Sequence, residues 1–400
     1  MSEPTQLALV GCGGITDAHV RAYRDLWERG CRDFEIAVCC DIDPSAAETR
    51  SAQILEFQGK KPAVASGVDA LVAAGGVGAA DVCLPHAFHH AAAIALLDAG
   101  IHVLVEKPVG ITMKAGRKII DAATRANRIV ATAENIRRMP GPRAARWALI
   151  EAKLIGDVHV VQIHHNQYGP FDFTNPAFKW RGVKLLTGGG MIMDSGAHLG
   201  DMMVHLFGDP DTVFCRMDTI DPAPIKDVPG MGDVKSDTED AWQAIVSFKN
   251  GVVLNWTYSR SLPGTAFAGN HYYGSKGSMT AEGFPMHPFQ DGSSLIEADG
   301  TTRSPEWLEE QYLETLSADE REALFPFGAT DGFSIEVYDF IRAVRGGQPV
   351  EMDGEAGLRA KALCMACYES AAAGRAVTYR DVLDGTISAY QDPIDAHWGI

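Results

Sequence analysis

Four side chains able to do chemistry recur in one short stretch, GGGMIMDSGAHLGDMMVHLF at 188–207: Asp194, His198, Asp201 and His205. On a helix, steps of four, three and four put all of them in one stripe. The rest of the stretch is mostly apolar (Ile192, Met193, Leu199, Met202, Met203, Val204, Leu206), and it holds no Lys, Glu or Arg. A solvated helix face is one reading, but such a face normally recruits long charged side chains. A stripe of only Asp and His points instead to a cleft, with either an acid/base pair on a substrate or a metal site. Four ligands over three helical turns span too far for one ion, so no metal is expected. The leading glycines suggest a close backbone approach to cofactor or substrate.

Lys107 is the second candidate. It follows the apolar strand His102-VLV-Glu106 and precedes Pro108. A desolvated Lys there can polarise a hydroxyl or stabilise an alkoxide; an ion pair at the sheet rim is the alternative.

The third is a glycine turn. Leu7–Val10 reads as a strand, Gly11-Cys12-Gly13-Gly14-Ile15-Thr16 as a turn, and Asp17 to about Arg29 as a helix. That context suits a dinucleotide fingerprint: Gly11 allows the tight turn, and Gly13 lets backbone approach a pyrophosphate at the helix N-terminus. Thr16 stands where the pattern usually has Gly or Ala. The next strand, Glu35-IAVCC-Asp41, ends in an acid suited to the adenosine ribose hydroxyls, and no Arg follows before Arg50. NAD is therefore favoured over NADP, with helix capping as the other use of Asp41.

These residues need elements to hold them. Strands at 63–66, 81–85, 102–106 and 129–135 alternate with helices at 89–99 and 112–127. Such alternation makes an α/β, doubly wound parallel sheet with its ligand beyond the strand carboxyl ends. Asp41, Pro85, His86, Glu106, Lys107 and Asn135 all fall at those ends. A connecting helix at 141–153 follows. Alternating segments from Val158, Thr212, Ala241, Val252 and Ser278 then read as a large, mostly antiparallel sheet, with Asn250-Gly251 a hairpin signal. His164 and His165 are adjacent on one strand and point to opposite faces, leaving one, taken as His165, to line the cleft. Residues 222–240 and 285–324 read as irregular insertions, the second ending in a charged helix. Helices at 334–345 and 354–374 return to brace the domain junction. The tail carrying Trp398 is either a segment that docks on a neighbouring subunit or an unstructured end. The division expected is 1–137 for the dinucleotide domain and 138–400 for the substrate domain.

The bulk numbers narrow the class. At 400 residues the chain has room for more than one core, and a net charge of −17 argues against nucleic acid or an anionic membrane as partner. No stretch is long and apolar enough to span a membrane, and the N-terminus reads as no signal peptide. Eight scattered cysteines, including the Cys364/Cys367 pair in a helical pattern, suit buried thiols in a reducing cytoplasm.

Together these pieces resemble the Gfo/Idh/MocA oxidoreductases, the glucose–fructose oxidoreductase and inositol dehydrogenase family. The resemblance is carried by GCGGI at 11–15, LPHAFHHAAAIALLDAGIHVLVEKPVG at 84–110, GGGMIMDSGAHLGDMM at 188–203, and the closing segment from Asp353. It implies a Rossmann domain plus a C-terminal α/β domain whose open sheet pairs subunits into dimers or tetramers. It also implies that Lys107 and His198 flank the reacting carbinol with Asp194 assisting, and that the Lys107–Pro108 bond is cis. Cofactor contacts carry over to Gly11, Gly13, Gly14, Ile15, Asp41, Pro85, His89, Glu106 and Lys107. His86 replaces the family's usual Asn on the nicotinamide side, and Trp180-Arg181 matches a position near nicotinamide and substrate. The activity implied is NAD-dependent oxidation of a ring hydroxyl of a sugar, glycoside or cyclic polyol. An NAD-retaining lyase or glycosidase that uses transient oxidation, and a non-enzymatic NAD-binding sensor, are the alternatives.

Overall fold

A computed structural model describes residues 3–400; the first two residues of the chain lie outside it. Two compact units emerge: Met1–Arg138 with Ala318–Gly357, and Met139–Ser317 with Leu358–Ile400. Neither is one continuous stretch.

The first unit is built on β1 (Thr5–Val10), β2 (Phe34–Cys40), β3 (Ala63–Ala65), β4 (Ala79–Val82), β5 (His102–Glu106) and β6 (Val130–Ala133), in the order β3-β2-β1-β4-β5-β6. All its pairings are parallel. The strands are short apolar runs because helices cover both faces of such a sheet. The order reverses between β1 and β4, which opens a crevice beyond their carboxyl ends. The helices that follow are α1 (Thr16–Glu28), α2 (Pro44–Gln58), α3 (Val68–Ala74), α4 (His89–Asp98) and α5 (Met113–Ala126). Local chemistry sets their limits. Asp43 caps α2 ahead of Pro44, Thr112 caps α5, and Asn127 closes α5 in the left-handed conformation at φ 50.

A distant segment completes this unit. The helix Gly332–Val344, capped by Asp331, buries Val337, Phe340 and Ile341 in the same core as Leu7, Leu9 and Leu26. Thr132 N–H donates to Met352 O at 2.8 Å, so residue 352 lies along the outer edge of β6 and leaves less of that edge open.

The second unit holds β7 (Val158–Asn166), β8 (Pro210–Asp218), β11 (Ala241–Phe248), β12 (Val253–Ser259), β13 (Phe267–Gly274), β14 (Gly277–Ala281), β15 (Ser293–Glu297), β16 (Thr302–Arg303) and β17 (Val377–Thr378) in one nine-stranded sheet. Only β7 and β12 pair in parallel; the other pairings are antiparallel. Alternation is clean on β11, where Trp242, Ala244 and Val246 are buried and Gln243 and Ile245 are exposed. The hairpin at Asn250-Gly251 forms, with Gly251 at φ 90.

Several sequence expectations change here. Residues 222–240 are not simply a loop: β9 (Pro224–Val228) and β10 (Gly232–Lys235) form a hairpin. The 285–324 stretch contributes β15 and β16 to the sheet. Strand β13 escaped notice because Gly269 and Gly274 break its alternation. The tail forms the helix Asp392–Trp398, which buries Ile394, and Trp398 Nε1 donates to Leu185 O at 2.6 Å. It docks on its own chain, which corrects the reading of an unstructured end.

Candidate active site

The glycine turn in the first unit has the form a dinucleotide needs. Gly11 sits at φ 89, and a Cβ there would run into the backbone carbonyl of Cys83. Only glycine lets the ends of β1 and β4 approach so closely. At Gly13 and Gly14 an added Cβ would meet nothing within 4 Å, and both are exposed, as is Ile15. No side chain caps the N-terminus of α1, which leaves its dipole open to an anion. Thr16, the departure from the usual pattern, is fully buried, and its Oγ1 donates to Gly11 O at 2.6 Å. The hydroxyl ties the turn shut from within.

Asp41 closes the other side. Its Oδ2 accepts from Cys12 N at 2.6 Å and its Oδ1 from Asp43 N at 2.8 Å. These bonds aim a carboxylate beside the glycine turn with lone pairs left for a ribose diol. Two neighbours had no role assigned from sequence. Ile42 is 89% exposed, an apolar surface next to that carboxylate. Arg50 reaches back from α2, donating to Gly13 O at 2.8 Å, Cys12 O at 3.3 Å, Asp17 Oδ1 at 2.8 Å and Gln53 Oε1 at 2.7 Å. An Arg so committed to the turn is poorly placed to pair with a 2′-phosphate. The residues present fit NAD.

At the ends of β4 and β5, Pro85 and Lys107 are half-buried, while His86 and Glu106 are buried; Asn135, past β6, is half-buried. The Lys107–Pro108 bond is cis. His89 is fully buried, its Nδ1 3.0 Å from Pro108 O and its Nε2 2.7 Å from Leu84 O. Its place is that of a brace between the two strand-end turns. Glu106 Oε2 accepts the backbone N–H of Lys107 at 2.9 Å.

Among the described residues, the one group with metal-ligand reach is His19, Asp81 and Cys83. The His19–Asp81 separation of 2.9 Å and the Cys83–Asp81 separation of 3.5 Å are hydrogen-bond lengths. Asp194, His198, Asp201 and His205 form no such group.

In the second unit the helix runs from Gly196 to Phe207, so Asp194 lies in the turn before it. The stripe on the helix is therefore His198, Asp201 and His205. The turn is wide: Asp194 N bonds Gly190 O at 3.0 Å and Gly196 N bonds Met191 O at 2.8 Å. Glu239, 49 residues beyond Gly190, holds it there. Its carboxylate accepts from Gly190 N at 2.7 Å, Ile192 N at 2.9 Å and Tyr368 Oη at 2.8 Å. Burial pushes the Glu239 carboxyl up to about 7, against the pull of those donors. The glycines serve this packing: a Cβ on Gly189 would strike the Tyr368 ring hydroxyl, and one on Gly190 would sit 2.7 Å from Glu239 O. The close approach that Gly189 and Gly190 make is to Tyr368 and Glu239. Gly196 and Gly200 continue it. A Cβ on Gly196 would lie 2.9 Å from Trp256, and one on Gly200 3.1 Å from Ala360 O.

Arg181 meets Asp194 as an ion pair at 2.9 Å, with its guanidinium over Trp180 at 4.5 Å and Phe178 at 5.2 Å. His198 is buried, its ring edge-on to His287 at 4.9 Å. Rings then run from His287 to Phe284 at 5.2 Å and on to His165 at 5.2 Å, which stacks on Tyr258 at 5.1 Å. His165 thus shares an aromatic cluster with His198, while its neighbour His164 packs on Phe267. His287 gave no signal in sequence, because it sits in an irregular turn.

A dinucleotide turn on a doubly wound sheet, followed by a large mixed sheet carrying an Asp/His segment, defines a two-domain oxidoreductase. Residues 5–134 match the model for the oxidoreductase family's NAD-binding Rossmann fold, and residues 148–379 that for its C-terminal alpha/beta domain. The chain belongs to the Gfo/Idh/MocA oxidoreductase family. Similar proteins include 1,5-anhydro-D-fructose reductase of Ensifer adhaerens, 28% identical over 77% of this chain and 82% of that one. D-glucoside 3-dehydrogenase of Escherichia coli K12 is 23% identical over 94% of this chain and 98% of that one. A solved structure of levoglucosan dehydrogenase with NADH and levoglucosan shares the fold, with a TM-score of 0.73 at 22% identity over 94% of this chain and all (100%) of that chain.

Proposed function

We propose that this oxidoreductase uses NAD to oxidise a secondary ring hydroxyl of a sugar, glycoside or cyclic polyol to the ketone. The observation that carries the reading is the turn at 188–195, pinned by Glu239 and Arg181, which presents Asp194 and leads straight into His198. Pinning of this kind is what a preorganised acid/base segment requires. Two similar proteins are named for an anhydrosugar and a glucoside, which agrees with a carbohydrate substrate.

His198 takes the hydroxyl proton on an imidazole nitrogen. Bound NAD supplies the acceptor for the hydride that leaves the same carbon. Lys107 offers its ammonium to the oxygen as negative charge develops. Asp194, oriented by Arg181, receives a hydrogen bond from a neighbouring hydroxyl. His165 and Arg181 line the substrate side, with Trp180 beside them. Gly11, Gly13, Gly14, Ile15 and Asp41 hold the dinucleotide, with Pro85, His86, Glu106 and Asn135 toward the nicotinamide and His89 bracing their turns.

The protein partner proposed is a second copy of the chain, in a dimer or tetramer. Phe214, Ile245, Tyr273 and Ile296 are exposed on one face of the nine-stranded sheet, an apolar surface that a like sheet could cover. A cytoplasmic setting suits eight buried cysteines, none in a disulfide. Among the described residues no helix is long and apolar enough to cross a membrane.

The test is a substrate panel of levoglucosan, D-glucosides, 1,5-anhydrosugars and inositols with NAD and NADP. Reduced NAD should appear with at least one of them. His198→Ala and Lys107→Met should lose on the order of 10²–10⁴ in kcat. A His198→Ala enzyme that oxidises every active substrate at the wild-type rate sinks the assignment.

A further inference from the structure

His19 is the fourth residue of α1 and is fully buried. Its Nδ1 lies 2.9 Å from Asp81 Oδ2 and its Nε2 3.0 Å from Glu106 Oε1. Ionised carboxylates only accept, so satisfying both requires a ring that donates from both nitrogens. Only the imidazolium does so. Tyr23 Oη adds a second donor to the same Asp81 oxygen at 3.0 Å. The remaining Glu106 oxygen receives the Lys107 backbone N–H at 2.9 Å. One continuous line of hydrogen bonds thus runs from Tyr23 through Asp81, His19 and Glu106 to Lys107.

The surroundings favour a charged ring. Burial opposes it, but the Asp81 carboxylate and its hydrogen bond outweigh burial and hold His19 well above its usual range. Phe333 packs against the ring with the centroids 5.4 Å apart and the planes at 64°. The cluster also joins α1, which begins at the dinucleotide turn, to the strand ends that carry Lys107. Nothing in the chemistry proposed above uses His19 directly.

We propose that His19 is a positioning residue for Lys107: its imidazolium, clamped between Asp81 and Glu106, fixes the carboxylate that receives the Lys107 amide and so sets where the lysine leaves β5. This rests on the reading of Lys107 as the group facing the reacting oxygen. An interaction two steps from the chemistry still matters, because small displacements of a catalytic group are costly in rate.

Three measurements on the full-length protein with saturating NAD test it. In wild-type protein labelled with ¹⁵N-histidine, both His19 ring nitrogens should carry protons at pH 7 and pH 8. A ring with one unprotonated nitrogen at pH 7 overturns the clamp, and this holds even if variants fail to fold. In ¹⁵N-lysine protein, His19→Gln and Glu106→Gln should each move the Lys107 amide resonance. An unmoved resonance in a folded His19→Gln protein overturns the proposal. On the best substrate of the panel, His19→Gln should lower kcat by roughly 10- to 100-fold while KM for NAD changes by less than about threefold. Adding Glu106→Gln should cost little more; additive losses would show that the two act separately. If Lys107→Met retains the wild-type kcat, the reading of Lys107 fails, whereas the ring-nitrogen and amide results still report on the clamp itself.

Discussion

Glu239 and Gly190 interlock: the carboxylate takes the Gly190 amide at 2.7 Å, and the Glu239 backbone occupies the space a side chain at 190 would need. The contact fixes the turn that bears Asp194. Gly190→Ala should therefore displace the Glu239 backbone carbonyl together with its pinned carboxylate, and cost about 1–3 kcal/mol of stability. Urea denaturation checks the stability, and a rise in substrate KM checks the displaced turn. An alanine variant as stable and active as wild type would mean the turn tolerates another path.

Glu239 should also give the protein a distinctive pH dependence. Its carboxyl is raised by burial to about 7 from an ordinary 4.5. Between those values the folded state holds a proton that the unfolded chain has released. Stability from this group is thus present in full below pH 4.5 and is lost as pH rises through 7. Wild type should lose on the order of 3 kcal/mol relative to Glu239→Gln over that window. Denaturation midpoints for both proteins at pH 5, 6, 7 and 8 decide it; parallel profiles would rule the titration out.

The first unit was more legible in sequence than the second for a physical reason. In a βα unit the strand, the glycine turn and the strand-end acid are neighbours in sequence, so Gly11, Asp41 and Glu106 could be placed from local pattern alone. Glu239 lies 49 residues from Gly190, and its role depends on a buried meeting that no local pattern encodes. The helix at 196–207 was readable by its period, but its first turn was not, because Glu239 and Tyr368 set that geometry. His19 left a trace nonetheless. Asp81 sits inside an apolar strand, and a buried charge needs a partner. Residue pattern singled out Lys107 and His198, the family resemblance gave them their place about the reacting carbinol, and neither pointed to a residue that holds them.

Asp41 should control which dinucleotide binds. Its carboxylate is oriented by the amides of Cys12 and Asp43, while Arg50 is occupied with the carbonyls of the glycine turn. Asp41→Ser removes the charge that repels a 2′-phosphate and the acceptors for the ribose diol. NAD affinity should fall by roughly 10- to 100-fold, as loss of charged hydrogen bonds implies, and NADP affinity should rise or hold. Fluorescence titration with NADH and NADPH measures both. An unchanged preference would place the discrimination elsewhere in the turn.

Arg181 and Asp194 should act together on substrate rather than on stability. Their 2.9 Å ion pair is partly exposed, so Arg181→Met should cost about 1 kcal/mol or less. Its larger effect is that Asp194 loses the group that orients it and Trp180 loses the cation on its face. Substrate KM should rise by about tenfold with kcat much less affected, the pattern of lost ground-state binding. Arg181→Lys should not restore it, because a lysine ammonium cannot bond Asp194 and Ala177 O with the fixed fork that Arg181 uses. Steady-state kinetics of both variants settle the matter. A fall in kcat at unchanged KM would instead move Asp194 from holding substrate to taking part in the proton transfer.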